Sequence, residues 1–337
     1  MIGVSVPVID VLDTTMYYEQ TGEGTPVVFL HGNPASSRVW RGVMPGVGAP
    51  ARLLAPDLIG MGRSGKPGGA HRFADHARYL DAWFDALSLD GVVIVGHDWG
   101  AALAFDFAAR HPGRVRGVAF LEAVVRPMAS SELSGPARER FATLRTPEGA
   151  RAALERHALV DAAFTRGVLN PLSEEEIAPY RAPYPDPESR RPLLEWANSM
   201  PLDGEPADVA ERLDGYQEWL ATSVDVPKLL LTFDSSPTLL ITQEMAAWCA
   251  SHMAALETEH LGPAGHHAPE DRPEEIGEAV GAWVDRHGPP RARGAARSPE
   301  SPRRAGRTPT APVNRPRTGG SGRRPRARPR ARRCWTS

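Results

Sequence analysis

The sequence predicts an α/β fold, a mostly parallel sheet flanked by helices with a helical insertion over the strand ends. Three observations carry that prediction. Short apolar runs alternate with helical patterns between residues 26 and 125, a Pro-broken stretch without clear strands follows to about residue 220, and the α/β pattern then resumes.

Taken in order, the first expected strand is Pro26 to Leu30 (PVVFL), followed by Arg52 to Ala55 (RLLA), Val92 to Val95 (VVIV) and Val115 to Leu121 (VRGVAFL). Each runs into loop residues, the place where α/β sheets hold ligands: His31-Gly-Asn-Pro34, Asp57 to Ser64, Gly96 to Gly100, and Glu122. The four ends are expected to share one crevice. Residues 127–220 are repeatedly broken by proline between helix-like segments and read as a helical cap across those ends. Strands resume at Pro227 to Phe233 and Thr258 to Leu261. A last helix, Pro273 to Arg286, spaces Ile276, Val280, Trp283 and Val284 along one face. The core domain is therefore expected to comprise 1–126 and 221–288.

Beyond it, residues 289–337 hold fifteen Arg and one acid, Glu300. Such Pro-, Gly- and Arg-rich sequence cannot offset its ordering entropy and reads as a disordered tail. It could serve as an anion-binding or nucleic-acid-binding arm, but a passive extension is the stronger reading, because no aromatic interleaves with the arginines before Trp335. The net charge of -2 conceals this asymmetry, since the first 288 residues carry -16. A body that acidic is unsuited to nucleic acid or an anionic membrane and favours small or neutral partners. Two cysteines, Cys249 and Cys334, give neither a disulfide framework nor metal-ligand spacing. With no basic leader and no long apolar run, the chain is expected to be cytoplasmic and to need no cofactor or metal.

The chemistry centres on Gly96-His97-Asp98-Trp99-Gly100, between a β-branched strand and the helix Ala101 to Arg110. Small residues at both flanks suit a nucleophile elbow, a strained strand-to-helix turn that pushes its middle side chain into the crevice. This chain order is that of the α/β-hydrolase fold. An Asp here could simply cap the helix, but the flanks favour catalysis. A carboxylate nucleophile needs no activating base, can displace a leaving group from saturated carbon, and leaves an ester for water to hydrolyse. The base is expected in Gly262-Pro-Ala-Gly-His266-His267, and either histidine could serve. Glu122 is the candidate acid behind it, with Asp234 as rival. Asn33 follows an earlier strand, where its backbone N–H can join that of Trp99 as an oxyanion hole. The Asn33 amide and the Trp99 indole N–H are two neutral donors suited to a departing anion.

Together these residues resemble the haloalkane dehalogenases, specifically the branch whose catalytic acid follows the sixth strand. The likeness spans roughly residues 10 to 286 and includes HGNPASSRVW, APDLIGMGRSGKP, DHARYLDAWFDAL, GHDWGAALAF, GEPADV and HHAPEDRPEEIG. It implies a cap inserted after the sixth strand, with Asp98 as nucleophile, His266 as base, Glu122 as acid, and Asn33 with Trp99 as the halide pair. His266 is preferred over His267 by its offset to Glu270-Asp271. Phe141, Phe164 and Trp196 are the implied pocket lining. The substrate would be a small halogenated molecule hydrolysed with water to an alcohol, a halide ion and a proton. Two departures stand out: Trp196-Ala197 where the family usually has an aromatic followed by proline, and the Arg-rich tail.

Two other enzymes share parts of this pattern. Epoxide hydrolases have the same fold and His-Asp-Trp-Gly, and normally use paired cap tyrosines, for which Tyr180, Tyr184 and Tyr216 are the candidates. Coelenterazine-dependent luciferases are similar at DAWF and GHDWGA.

Overall fold

A computed structural model describes residues 7–287, apart from positions 49, 70, 235 and 237. The expected tail, 289–337, lies outside the described residues. Eight strands form one sheet in the order β1-β2-β4-β3-β5-β6-β7-β8. They are β1 (Val8–Val11), β2 (Thr14–Thr21), β3 (Thr25–Leu30), β4 (Ala51–Pro56), β5 (Val92–His97), β6 (Val115–Leu121), β7 (Lys228–Thr232) and β8 (Leu256–His260). All neighbours from β4 onward in that order are parallel, whereas β1 and β2 form an antiparallel hairpin whose second strand pairs with β4. Strand β5 is buried throughout and β6 everywhere but Arg116, as their apolar residues require in a sheet covered on both faces.

Helices α1 (Phe73–Ala86), α2 (Trp99–Arg110), α10 (Gln243–His252), α11 (Ala268–Asp271) and α12 (Pro273–His287) accompany the sheet. Helix α12 buries Ile276, Val280, Trp283 and Val284, the four positions the spacing picked out. Between β6 and β7 come seven helices: α3 (Gly135–Leu144), α4 (Pro147–Glu155), α5 (Ala158–Arg166), α6 (Glu174–Arg181), α7 (Pro187–Asn198), α8 (Ala207–Asp214) and α9 (Gln217–Thr222). Several start with Pro in the first turn, including α3, α4 and α7, where the missing N–H costs nothing. Pro-rich sequence here thus punctuates helices rather than preventing them.

Parallel pairing fixes the site. Register Leu30↔Gly96 and His97↔Leu121 ends β3, β5 and β6 at nearly the same level, so Asn33, Asp98 and Glu122 follow adjacent strands at one edge. The fourth expected strand end departs from this arrangement. Asp57 after β4 is buried and accepts from the Ser37 and Arg63 backbone N–H groups at 2.6 and 2.7 Å, bracing loops outside the cavity described next.

Candidate active site

The elbow forms because two residues lack side chains. A Cβ on Gly100 would lie 2.1 Å from the Leu30 carbonyl oxygen, and one on Gly96 would lie 2.4 Å from the Ala101 Cα. Helix α2 can therefore start directly against the end of β3, and Asp98 takes φ 54 and ψ -122 between them. A non-glycine residue in that region is strained and persists only where its surroundings enforce it. Asp98 does not cap α2 with its side chain; it turns into a cavity of about 90 Å³ instead.

Asp98 is only 5% exposed. Its Oδ2 accepts from the Asn33 backbone N–H at 2.9 Å, while its Oδ1 lies 3.9 Å from His266 Nε2. Burial raises the Asp98 pKa, and the opposing pulls come from His266 and from the backbone N–H groups of Asn33 and Trp99. His266 Nδ1 faces Glu122 Oε2 at 3.1 Å. Glu122, 1% exposed, is held in turn by the backbone N–H groups of Leu240 at 2.8 Å and Ile241 at 3.3 Å. A continuous line of contacts thus runs from Asp98 through His266 to Glu122.

His267 and Asp234 lie off this line of contacts. His267 donates its backbone N–H to Gly167 and packs its ring against Phe164 and His97. Burial pushes its pKa well below the usual histidine range. It lines the cavity, but the contact to Glu122 belongs to His266. Asp234 is exposed and pairs with His260 at 3.1 Å on the outer edge of the sheet. His97, also buried, sits behind His266, its Nε2 2.8 Å from the His266 carbonyl oxygen, and burial pushes its pKa down to about 3. A neutral His97 can donate to that carbonyl and so steady the loop.

Asn33 and Trp99 line the same cavity as Asp98. The Asn33 amide Nδ2 donates to the Leu193 carbonyl of α7 at 3.1 Å, which leaves its second hydrogen free to point elsewhere. Phe141 lines the cavity as expected. Phe164 and Trp196 do not: both are fully buried one layer behind it. Phe164 stacks on Tyr180, and Trp196 is sandwiched between His76 and Trp99 at ring separations of 4.1 and 4.7 Å. They are packing that holds the lining, because broad rings in helix interiors gain more from burial against each other than from a small opening. Ala197, at the departure from the family pattern, does reach the cavity.

The cap tyrosines that an epoxide hydrolase would need face elsewhere. Tyr180 OH donates to Glu270, Tyr184 OH accepts from the Gly62 N–H at 3.0 Å, and Tyr216 OH donates to the Val125 carbonyl at 2.9 Å. None lines the cavity. Sequence reasoning missed Arg140, which does, together with the backbone donors of Leu240 and Ile241; neither carried a motif.

A family model described as alpha/beta hydrolase fold matches residues 25–273. A haloalkane dehalogenase of Mesorhizobium japonicum is 43% identical over 281 residues, covering 82% of this chain and 90% of that one. The chain belongs to the haloalkane dehalogenase family. A dehalogenase of Bradyrhizobium diazoefficiens is likewise 43% identical, over 81% of this chain and 92% of its own. Among solved structures, the haloalkane dehalogenase DbeA from Bradyrhizobium elkani superposes with a TM-score of 0.78 at 44% identity, over 82% of this chain and 96% of that one. DatA from Agrobacterium tumefaciens gives a TM-score of 0.78 at 39% identity, over 83% and 96%. Among the described residues no helix is long and apolar enough to cross a membrane.

Proposed function

We propose that this chain hydrolyses the carbon–halogen bond of small haloalkanes, with Asp98 as nucleophile. The observation that carries the reading is the convergence of Asp98, His266, Asn33 and Trp99 on one small cavity, with Glu122 directly behind His266. Asp98 Oδ1 attacks the halogen-bearing carbon, the carbon–halogen pair leaves with the halide, and an alkyl ester forms on Asp98. The Asn33 amide and the Trp99 indole N–H receive the halide. His266 Nε2 then takes a proton from water as it adds to the ester carbonyl, and the Asn33 and Trp99 backbone N–H groups stabilise the resulting oxyanion. Glu122 holds the imidazolium in place until the alcohol, halide and proton are released.

Water is the only co-reactant in this balance. A cavity of about 90 Å³ is small beside the roughly 300–1,000 Å³ typical of drug-sized ligands, which favours short haloalkanes over a coelenterazine-sized substrate. We read residues 127–220 as a cap over this cavity. The buried free thiol of Cys249 fits a reducing, cytoplasmic setting. Purified protein given a panel of short bromoalkanes should release bromide, and Asp98→Ala should not. No release from any member of the panel would overturn the proposal.

A further inference from the structure

Arg140 stands apart from the other polar groups of the cavity. His266, Asn33, Asp98 and Thr238 each have a protein partner. Arg140 makes no hydrogen bond or ion pair with any described residue; its guanidinium lies over the adjacent Phe141 ring, 5.0 Å from the centroid. It is the sole Arg or Lys among the described lining residues, yet its side chain also reaches solvent, which places it at the mouth. Burial lowers its pKa, the charge of Asp98 acts in the opposite sense, and Arg166 adds repulsion. Apart from Thr238 and His267, the remaining wall, including Leu144, Leu159, Ala163 and Met200, is mostly apolar. The cavity therefore carries a buried carboxylate, Asp98, a largely apolar wall, and an unpartnered guanidinium on a residue that opens to solvent.

We infer that Arg140 recognises a carboxylate at the end of the substrate remote from the halogen, extending the range of this chain to ω-haloalkanoates. A guanidinium grips a carboxylate through two parallel N–H donors, and charge-assisted pairs of that kind are stronger than neutral hydrogen bonds. This inference rests on the dehalogenation reading above. With 5-bromopentanoate, Asp98 Oδ1 forms the new carbon–oxygen bond and bromide leaves with its electron pair. Water then cleaves the ester, giving 5-hydroxypentanoate and a proton while Asp98 returns to its carboxylate. The same guanidinium could instead draw only the leaving halide outward, and the substrate comparison separates these two anions.

The test is the ratio of kcat/KM for 5-bromopentanoate to that for 1-bromopentane, measured by bromide release from the full chain. Arg140→Gln should lower the ratio at least about tenfold, in line with loss of a charge-assisted pair. Arg140→Lys should retain part of it and Arg140→Glu should lower it further. Equal losses on both substrates, the mark of a role in halide exit alone, would overturn the inference. So would wild-type protein that turns over 1-bromopentane but not 5-bromopentanoate. Failure to release bromide from either substrate would instead count against the dehalogenation reading itself.

Discussion

Glu122→Gln preserves the size of the side chain and removes only its charge, so its two consequences can be worked from the hydrogen bonds. Glu122 Oε2 accepts from both His266 Nδ1 and the Leu240 N–H, and Oε1 accepts from Ile241 N–H. A glutamine keeps the first two bonds by placing its carbonyl oxygen at the Oε2 position. Its NH2 then confronts the Ile241 N–H, a buried donor-against-donor contact worth roughly 1–3 kcal/mol of stability. At the imidazole, a charge-assisted bond of about 1.5–3 kcal/mol becomes a neutral one of about 0.5–1.5 kcal/mol. The difference, about 1–2 kcal/mol, slows ester hydrolysis roughly 5- to 30-fold. Alkylation of Asp98 does not use the base and should be unchanged. Rapid-quench bromide release with 1-bromobutane should show a burst of about one equivalent at the parental rate, then a slowed steady state. A weakened burst with an unaltered steady state would refute the assignment of Glu122 to the hydrolytic step. Asp234→Asn, which alters only an exposed pair with His260, should leave both phases within about twofold.

Two further outcomes follow from the elbow. Burial raises the Asp98 pKa above its unfolded value, so the ionised group costs stability at neutral pH, and that cost is relieved as pH falls through the folded pKa. Asp98→Asn should abolish turnover yet resist urea better than the parent at neutral pH, with an advantage that shrinks on acidification; lower stability at neutral pH would contradict the burial argument. Gly100→Ala places a methyl 2.1 Å from the Leu30 carbonyl oxygen, forcing β3 and α2 apart. Overpacking of this kind costs roughly 1–3 kcal/mol, and both the melting temperature and bromide release should fall, since Asn33 moves with β3. Parental values for both would show that the close approach is dispensable.

The central sheet and the elbow at Asp98 were legible because their determinants are local. β-branched runs give β5 and β6, and the two elbow glycines lie within two residues of Asp98. The hairpin β1–β2 escaped notice because its strands carry mixed polar residues and Val8 remains 50% exposed, so no clean alternation marks a buried face. Glu122 and Asp234 both follow strands, and nothing in the chain distinguishes an acid aimed at His266 from one aimed at solvent. That choice depends on register, which places β6 beside β5 and sends Asp234 towards His260 on the edge strand β8. Phe164 and Trp196 read as lining because aromatic residues suit pockets and cores alike; only packing against Tyr180, His76 and Trp99 separates the two. Arg140 sits in a helix without a motif, and its isolation is a tertiary property that no spacing records.

A covalent ester at Asp98, cleared with the help of His266, is the centre of the proposed mechanism. Mass spectrometry of His266→Phe after incubation with 1,2-dibromoethane tests both halves together. The account predicts a stable bromoethyl adduct whose peptide maps to Asp98, with one bromide released per chain. Bound substrate without an adduct, or continued turnover, would contradict it.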